Sequence, residues 1–206
     1  MQFYSNILLG GITVASVSII ACVSYFKKYS PNKYWPTISE AGAFEQGYIF
    51  YSTGMLIGSI LLFLGLSLYF KAHLKAKSSR FVITSYLFIM CFAMAFQGIV
   101  KIELDKMQDI HRQAAGIFFS MAFFVGIYAN IKFQETNCNK KRKYIHRAMV
   151  LIAVILIAVN IYLFKSFNVD LSIRTDVNQT GLMSQFAYIQ YTFVVSLFIS
   201  ILTIMQ

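Results

Sequence analysis

YIFYSTGMLIGSILLFLGLSLYF, residues 48–70, is an apolar run without a single charged side chain. A helix that crosses a bilayer needs roughly 20 consecutive, mainly apolar residues, and this run is long enough. A strand of a membrane β-barrel would alternate apolar and polar residues, whereas this run is continuous. It therefore predicts a transmembrane α-helix.

Five further apolar runs lie on either side of it. They are Ile7–Phe26, Phe81–Val100, Ala114–Ile131, Ala148–Phe164 and Ser184–Met205. The runs that start at Ala114 and Ala148 are short, and the long side chains of Lys132 and Lys165 would extend them to the bilayer surface. The first run has no basic segment before it and is too long for a signal peptide, so we expect a retained helix. We predict an all-α polytopic membrane protein, a six-transmembrane-helix bundle that forms a single domain over residues 1–206.

The composition agrees with a membrane protein. Hydrophobic residues make up 58% of the chain and charged residues 13%, about half the share in soluble domains. The net charge of +10 comes from 18 Lys and Arg against 8 Asp and Glu. Because the basic residues are spread over several loops, they do not favour nucleic-acid binding. They suit an anionic membrane surface instead.

The charge distribution predicts the orientation in the membrane. Lys and Arg are densest in loops 71–80 and 132–147, which places these loops and both termini in the cytosol. Most acidic residues fall in the opposite, lumenal loops. The sequon Asn178-Gln179-Thr180 also lies there, and we predict glycosylation of Asn178. We expect contacts with membrane lipids, and with protein partners through the two basic loops.

Small residues in the second run predict close helix packing. Gly54, Gly58 and Gly65 recur at helical spacing on one face, and small residues let membrane helices approach closely. Packing within one chain and dimerisation are both consistent with this pattern.

Few residues suggest a soluble-type reaction. The chain has no nucleophile elbow, phosphate-binding glycine loop or zinc-spaced cysteine pair. His73 and His146 fall in the cytosolic loops and His111 on the other side, so the histidines predict no metal site. We expect no cofactor. The scarcity of charged residues inside the runs argues against proton-coupled transport.

The lumenal face gathers the titratable groups. Glu40, Asp109 and His111 are the candidate catalytic or binding residues. Asp109, at the mouth of the fourth span, also suits a structural role as a capping acid. His111 is equally an ordinary interfacial histidine or a group that binds lipid head groups or protons. We expect the first loop to fold back over the bundle and place Glu40 beside His111.

A family resemblance involves the same loop. Residues 35–42, Trp-Pro-Thr-Ile-Ser-Glu-Ala-Gly, resemble the P-x-I-S-[DE]-x-G segment of the DRAM family, the damage-regulated autophagy modulators of the DRAM/FRAG/Sfk superfamily. Supporting matches are Gly98-Ile99-Val100, His111 followed by Ala114, and His146-Arg147. One position departs: many members carry a glutamate before an aromatic residue in the last span, where this chain has Gln190 before Tyr191.

The resemblance implies a function that the residue pattern alone does not give. DRAM-type members promote autophagy from endolysosomal membranes, a second branch remodels the lipid of GPI anchors in the Golgi, and a third assists a phosphoinositide kinase pathway at the plasma membrane. The length and the 35–42 segment imply a DRAM-type, non-enzymatic regulator in lysosomal or endosomal membranes. The alternative is a lipid-handling enzyme or enzyme subunit whose active face is Glu40, Asp109 and His111. The lost carboxylate at Gln190 weighs against it.

Overall fold

The computed structural model describes residues 3–30, 34–100, 105–135, 140–166 and 177–204, and every regular element within them is an α-helix. The helices are α1 (Phe3–Tyr29), α2 (Ile38–Ala43), α3 (Glu45–His73), α4 (Lys77–Ile99), α5 (Asp105–Glu135), α6 (Lys140–Ser166) and α7 (Val177–Ile204). Apart from Val100 and Met205, the six long helices cover the six predicted apolar runs. The all-α class is therefore confirmed for the described residues.

Four of these helices are long and apolar enough to cross a membrane. They are Phe3–Tyr29, Gly47–His73, Lys77–Ile99 and Ser184–Thr203, and α5 adds the shorter apolar stretch Gln113–Tyr128. α6 opens with four consecutive basic residues, 140–143, which interrupt its apolar character. The helices support an integral membrane protein, and the number of six spans stays a prediction.

The long helices pack in chain order. α1 contacts α3, α3 contacts α4, and the series continues through α5 and α6 to α7, which returns to contact α1 and α5. The short helix α2 packs against α1, α3 and α7. We call this end of the bundle, where α4 ends and α5 and α7 begin, the α2 end.

Helices α1 and α3 pack closely at three glycines. A Cβ atom placed on Gly58 would lie 3.2 Å from Cβ of Ala15, and one on Gly65 would lie 2.6 Å from Cγ of Leu8. A Cβ on Gly54 would overlap the side chain of Ser18. The three glycines of the predicted packing stripe thus face α1 of the same chain.

Helix α2 is a short element that the apolar pattern does not predict. Thr37 caps it: its hydroxyl accepts a hydrogen bond from the Glu40 N–H, and the Glu40 carboxylate accepts one from the Thr37 N–H, which is a capping box. The helix ends at Ala43, and the backbone of the next residue, Phe44, is extended. Gly42 leaves room for the ring of Tyr51 in α3, which would clash with any Cβ there. The resembling segment is therefore a folded element rather than an open loop.

Candidate functional site

Hydrogen bonds from α7 hold the segment that carries α2. The Ile38 N–H donates to Oε1 of Gln190 over 3.2 Å. The Tyr191 hydroxyl donates to the carbonyl oxygen of Pro36, and the Trp35 N–H donates to Oγ of Ser184 over 3.2 Å. Gln190, the position where this chain differs from many family members, thus accepts a hydrogen bond from a backbone N–H through its side-chain oxygen. This contact needs an oxygen but no charge.

The carboxylate of Glu40 is buried and engaged locally. Glu40 is 5% exposed. Its Oε2 accepts a hydrogen bond from the Thr37 N–H over 2.8 Å, and its Oε1 accepts one from the Tyr34 hydroxyl over 3.1 Å. Both oxygens therefore stabilise the turn that starts α2. Buried polar groups need such partners, because a lost one costs about 1–3 kcal/mol.

The imidazole of His111 connects α5 to two other segments of the α2 end. The residue is 3% exposed. Its Nδ1 lies 2.8 Å from the carbonyl oxygen of Val100, and its Nε2 lies 2.8 Å from Oγ of Ser39. A carbonyl oxygen only accepts, so Nδ1 carries the hydrogen. In the neutral ring Nε2 then accepts a hydrogen bond from the Ser39 hydroxyl.

The structure therefore changes the predicted pair. The first loop does fold back onto the start of α5, but Ser39, one residue before Glu40, bonds to His111. The reason is the capping box, which turns the Glu40 carboxylate toward the backbone of Thr37. Helix α5 begins at Asp105, so Asp109 lies past its first turn rather than at a cap position. The side chain of Asp109 lies outside the described residues, and its catalytic role stays a prediction.

Ser39 and Tyr51 are the residues that the sequence reasoning missed. The sequence prediction of the site rests on titratable groups of the lumenal face, and Ser39 is not titratable in the ordinary range. The signal that could have pointed to Ser39 is its place in the segment 36–40, which the sequence predicts to lie near His111. Tyr51 is 2% exposed, its ring packs against Gly42 of α2, and its hydroxyl has no hydrogen-bond partner among the described residues. It lay hidden inside an apolar run.

A second buried histidine lies at the opposite end. His146 was expected in a cytosolic loop, but it belongs to α6 and is fully buried. Its Nε2 lies 3.1 Å from the carbonyl oxygen of Gly126 in α5, and its Nδ1 lies 3.1 Å from Oγ of Ser200 in α7. The loop prediction was wrong here because α6 begins at Lys140, before the apolar run. His146 ties three helices together.

A small cavity of about 20 Å³ lies between α5, α6 and α7, beside the hydrogen-bond partners of this histidine. Gly126, Ser196 and Ser200 are among its lining residues. The space suits about one water molecule, which needs polar partners of this kind. The arrangement is that of a packed, hydrogen-bonded helix junction.

Within the described ranges no group of three His, Cys, Asp or Glu side chains is close enough to hold a metal ion. Asn178 belongs to the first turn of α7, but its side chain lies outside the described residues, so its glycosylation stays a prediction.

A family model matches this chain. The family model described as "Frag1/DRAM/Sfk1/Cwh43P N-terminal domain" matches residues 4–206, nearly the whole chain. No curated protein and no solved structure gives a significant match. The match confirms the resemblance that residues 35–42 suggested.

Proposed function

The chain belongs to the Frag1/DRAM/Sfk1/Cwh43P family, and from this premise we propose that it is a DRAM-type modulator of autophagy in lysosomal or endosomal membranes. One observation supports this branch. The segment that resembles the DRAM-type proteins forms α2, a capped and buried helix that packs against α1, α3 and α7. The residues that carry the resemblance are thus the ones that build one end of the bundle.

The chemistry of Glu40 also favours a regulator over a glycosidase-like or phosphate-transferring enzyme. Both of its carboxylate oxygens accept hydrogen bonds from neighbouring residues of its own turn. A general acid or base must be able to exchange a proton with substrate, whereas this carboxylate is committed to the cap of α2. Glu40 therefore acts in the proposed function as a structural residue.

Partners of the modulator would meet its basic end. Lys71, Lys75 and Lys77 are exposed around the turn between α3 and α4, at the end of the bundle opposite α2. Exposed lysines attract anionic lipid head groups and acidic protein segments. We propose the basic residues of 71–80, and with them those of 132–147, as the surface through which partners bind. Replacing the three lysines with glutamine should release such partners in co-purification while leaving the membrane location unchanged.

The experiment for the proposed function uses cells whose own copy of the gene is disrupted. The full-length chain, expressed at native level, should restore autophagic flux and co-fractionate with lysosomal or endosomal membranes. Glu40→Ala, which breaks the cap of α2, should restore flux less well at equal abundance. Gly116→Ala is the matched control, since a Cβ there meets nothing within 4 Å. Unchanged flux, together with Golgi location and altered GPI-anchor lipids, would contradict the proposal and favour the lipid-remodelling branch.

The lipid-handling alternative keeps one specific observation in its favour. The hydrogen bond between Ser39 and His111 joins a potential nucleophile to a potential base at the α2 end of the bundle. This contact is independent of whether the protein modulates autophagy.

A further inference from the structure

We propose that Ser39 is a nucleophile activated by His111, and that the pair transfers the acyl group of a lipid ester. The inference goes beyond modulation of autophagy and stands on the geometry of the α2 end. Ser39 comes from α2 and His111 from α5, 72 positions apart in the chain, and their Oγ and Nε2 atoms are 2.8 Å apart. Folding alone brings them together.

The pair has the three parts that serine activation requires. A hydroxyl lies within hydrogen-bond reach of a base, and a third group fixes the base in the productive tautomer. Here the carbonyl oxygen of Val100 takes the hydrogen on Nδ1 of His111 at 2.8 Å. The lone pair of Nε2 is thereby directed at the Ser39 hydroxyl, ready to accept its proton.

Burial divides the pair in the way a reaction needs. The base, His111, is 3% exposed and shielded from water, whereas Ser39 is only partly buried. The ring of Tyr51 packs against Gly42, three residues after Ser39, and its buried hydroxyl has no hydrogen-bond partner among the described residues. In the proposed reaction this hydroxyl would stabilise the oxyanion by donating to the carbonyl oxygen of the bound ester.

The surroundings indicate the substrate class. The site lies at the end of apolar helices, and the residues next to His111 and to its partner Val100 expose apolar surface. Ile99 beside Val100 is 51% exposed, and Ile110 beside His111 is 39% exposed. Trp35 adds an exposed aromatic ring of the kind found at membrane interfaces. An ester with a fatty acyl chain in the adjacent leaflet fits this surface.

The step balances with water as the second reactant. Oγ of Ser39 bonds to the carbonyl carbon of the ester while its proton passes to Nε2 of His111. The bond to the leaving alcohol breaks, and the alcohol oxygen takes that proton. Water then attacks the acyl-serine, gives a proton to Nε2, and the fatty acid leaves as Ser39 regains its hydrogen.

The test uses the full-length chain purified in detergent micelles and a fluorophosphonate probe, which forms a phosphorus–oxygen bond with an activated serine and releases fluoride. We expect a covalent adduct that peptide mapping places on Ser39. Ser39→Ala should lose it, and His111→Asn, which keeps an N–H for Val100 but cannot accept a proton, should slow labelling about 10²-fold or more. Ser85→Ala is the matched control, because this hydroxyl lies in the first half of α4 and donates to the carbonyl oxygen of Phe81 in the same helix, and it should label normally.

A second readout tests the ester. Wild-type protein should hydrolyse p-nitrophenyl octanoate, an apolar acyl ester, and Ser39→Ala should not. An unlabelled wild type beside a labelled serine esterase, an adduct on another serine, or equal octanoate turnover by Ser39→Ala would each overturn the proposal. If His111→Asn does not fold, the mapped wild-type adduct decides. Because these assays contain no cellular pathway, their outcome is separate from the outcome for autophagy.

Discussion

The contact between α1 and α3 offers the sharpest test of the packing, through Gly54→Ala. A Cβ atom on Gly54 would overlap both Oγ and Cβ of Ser18, while Cα of Ser18 stays 3.6 Å away. Ordinary contact begins at about 3.4 Å, so the two helices must separate locally. Overpacking of this kind costs about 1–3 kcal/mol, and the better helix propensity of alanine returns at most about 1 kcal/mol.

The expected net loss is therefore on the order of 1–2 kcal/mol. For a chain of this length each kcal/mol lowers Tm by about 2–4 °C, so Gly54→Ala should melt about 2–8 °C below wild type. Thermal unfolding in detergent micelles, followed by loss of the monodisperse peak, measures it. Gly116→Ala is the matched control: its Cβ meets nothing within 4 Å, and its Tm should stay level or rise.

A rescue identifies the cause. Ser18→Gly removes both overlapping atoms. The loss of unfolding free energy in the double variant Ser18→Gly/Gly54→Ala should therefore be smaller than the sum of the two single losses by about 1 kcal/mol or more. Ser18→Ala removes only the hydroxyl and should rescue in part. Gly58→Leu at the same interface should prevent folding altogether. Equal Tm values for Gly54→Ala and Gly116→Ala, or strictly additive behaviour of the double variant, would refute the reasoning.

Three further predictions concern single residues, and a fourth concerns the topology. Glu40→Ala should lower the free energy of unfolding by about 1–3 kcal/mol, because it leaves the Thr37 N–H without its acceptor. Glu40→Gln keeps an oxygen and should lose less than half as much. Equal losses for the two variants in thermal unfolding would mean that the charge of Glu40 matters. His146→Ala should cost at least as much as Glu40→Ala, since it removes the links to α5 and α7, and a Tm within 1 °C of wild type would contradict the junction. Asn178→Gln should abolish the loss of apparent mass that glycosidase treatment causes in the wild type. A tag on the C-terminus should be digested when protease is added outside sealed vesicles, and a protected tag would reverse the predicted topology.

The residue that pairs with His111 could not be predicted correctly from the sequence. Glu40 and His111 were chosen because they are titratable and share the predicted lumenal face. The capping box directs the Glu40 carboxylate to Thr37, a local effect that competes with any long-range pair. Ser39 gained its histidine partner only because α2 docks over the start of α5.

The histidine at the other end shows the same limit. His146 follows a run of basic residues, and a sequence pattern reads such a stretch as solvent-exposed loop. In the structure the helix begins earlier, and its first turns carry His146 into contact with Gly126 and Ser200. Apolar periodicity reports where lipid can surround a helix, but it does not report where a polar side chain finds partners inside the bundle.

The sequence by itself determined the solvent, the class of fold and the family. Long apolar runs allow only helices in a bilayer, because every backbone polar group must be satisfied within its own segment. The segment at residues 35–42 identified the family. The tertiary structure decided which groups meet: the docking of α2, the exchange of Glu40 for Ser39 at His111, and the burial of His146. These depend on contacts between residues far apart in the chain, and a local pattern carries no information about which distant helix a side chain will face.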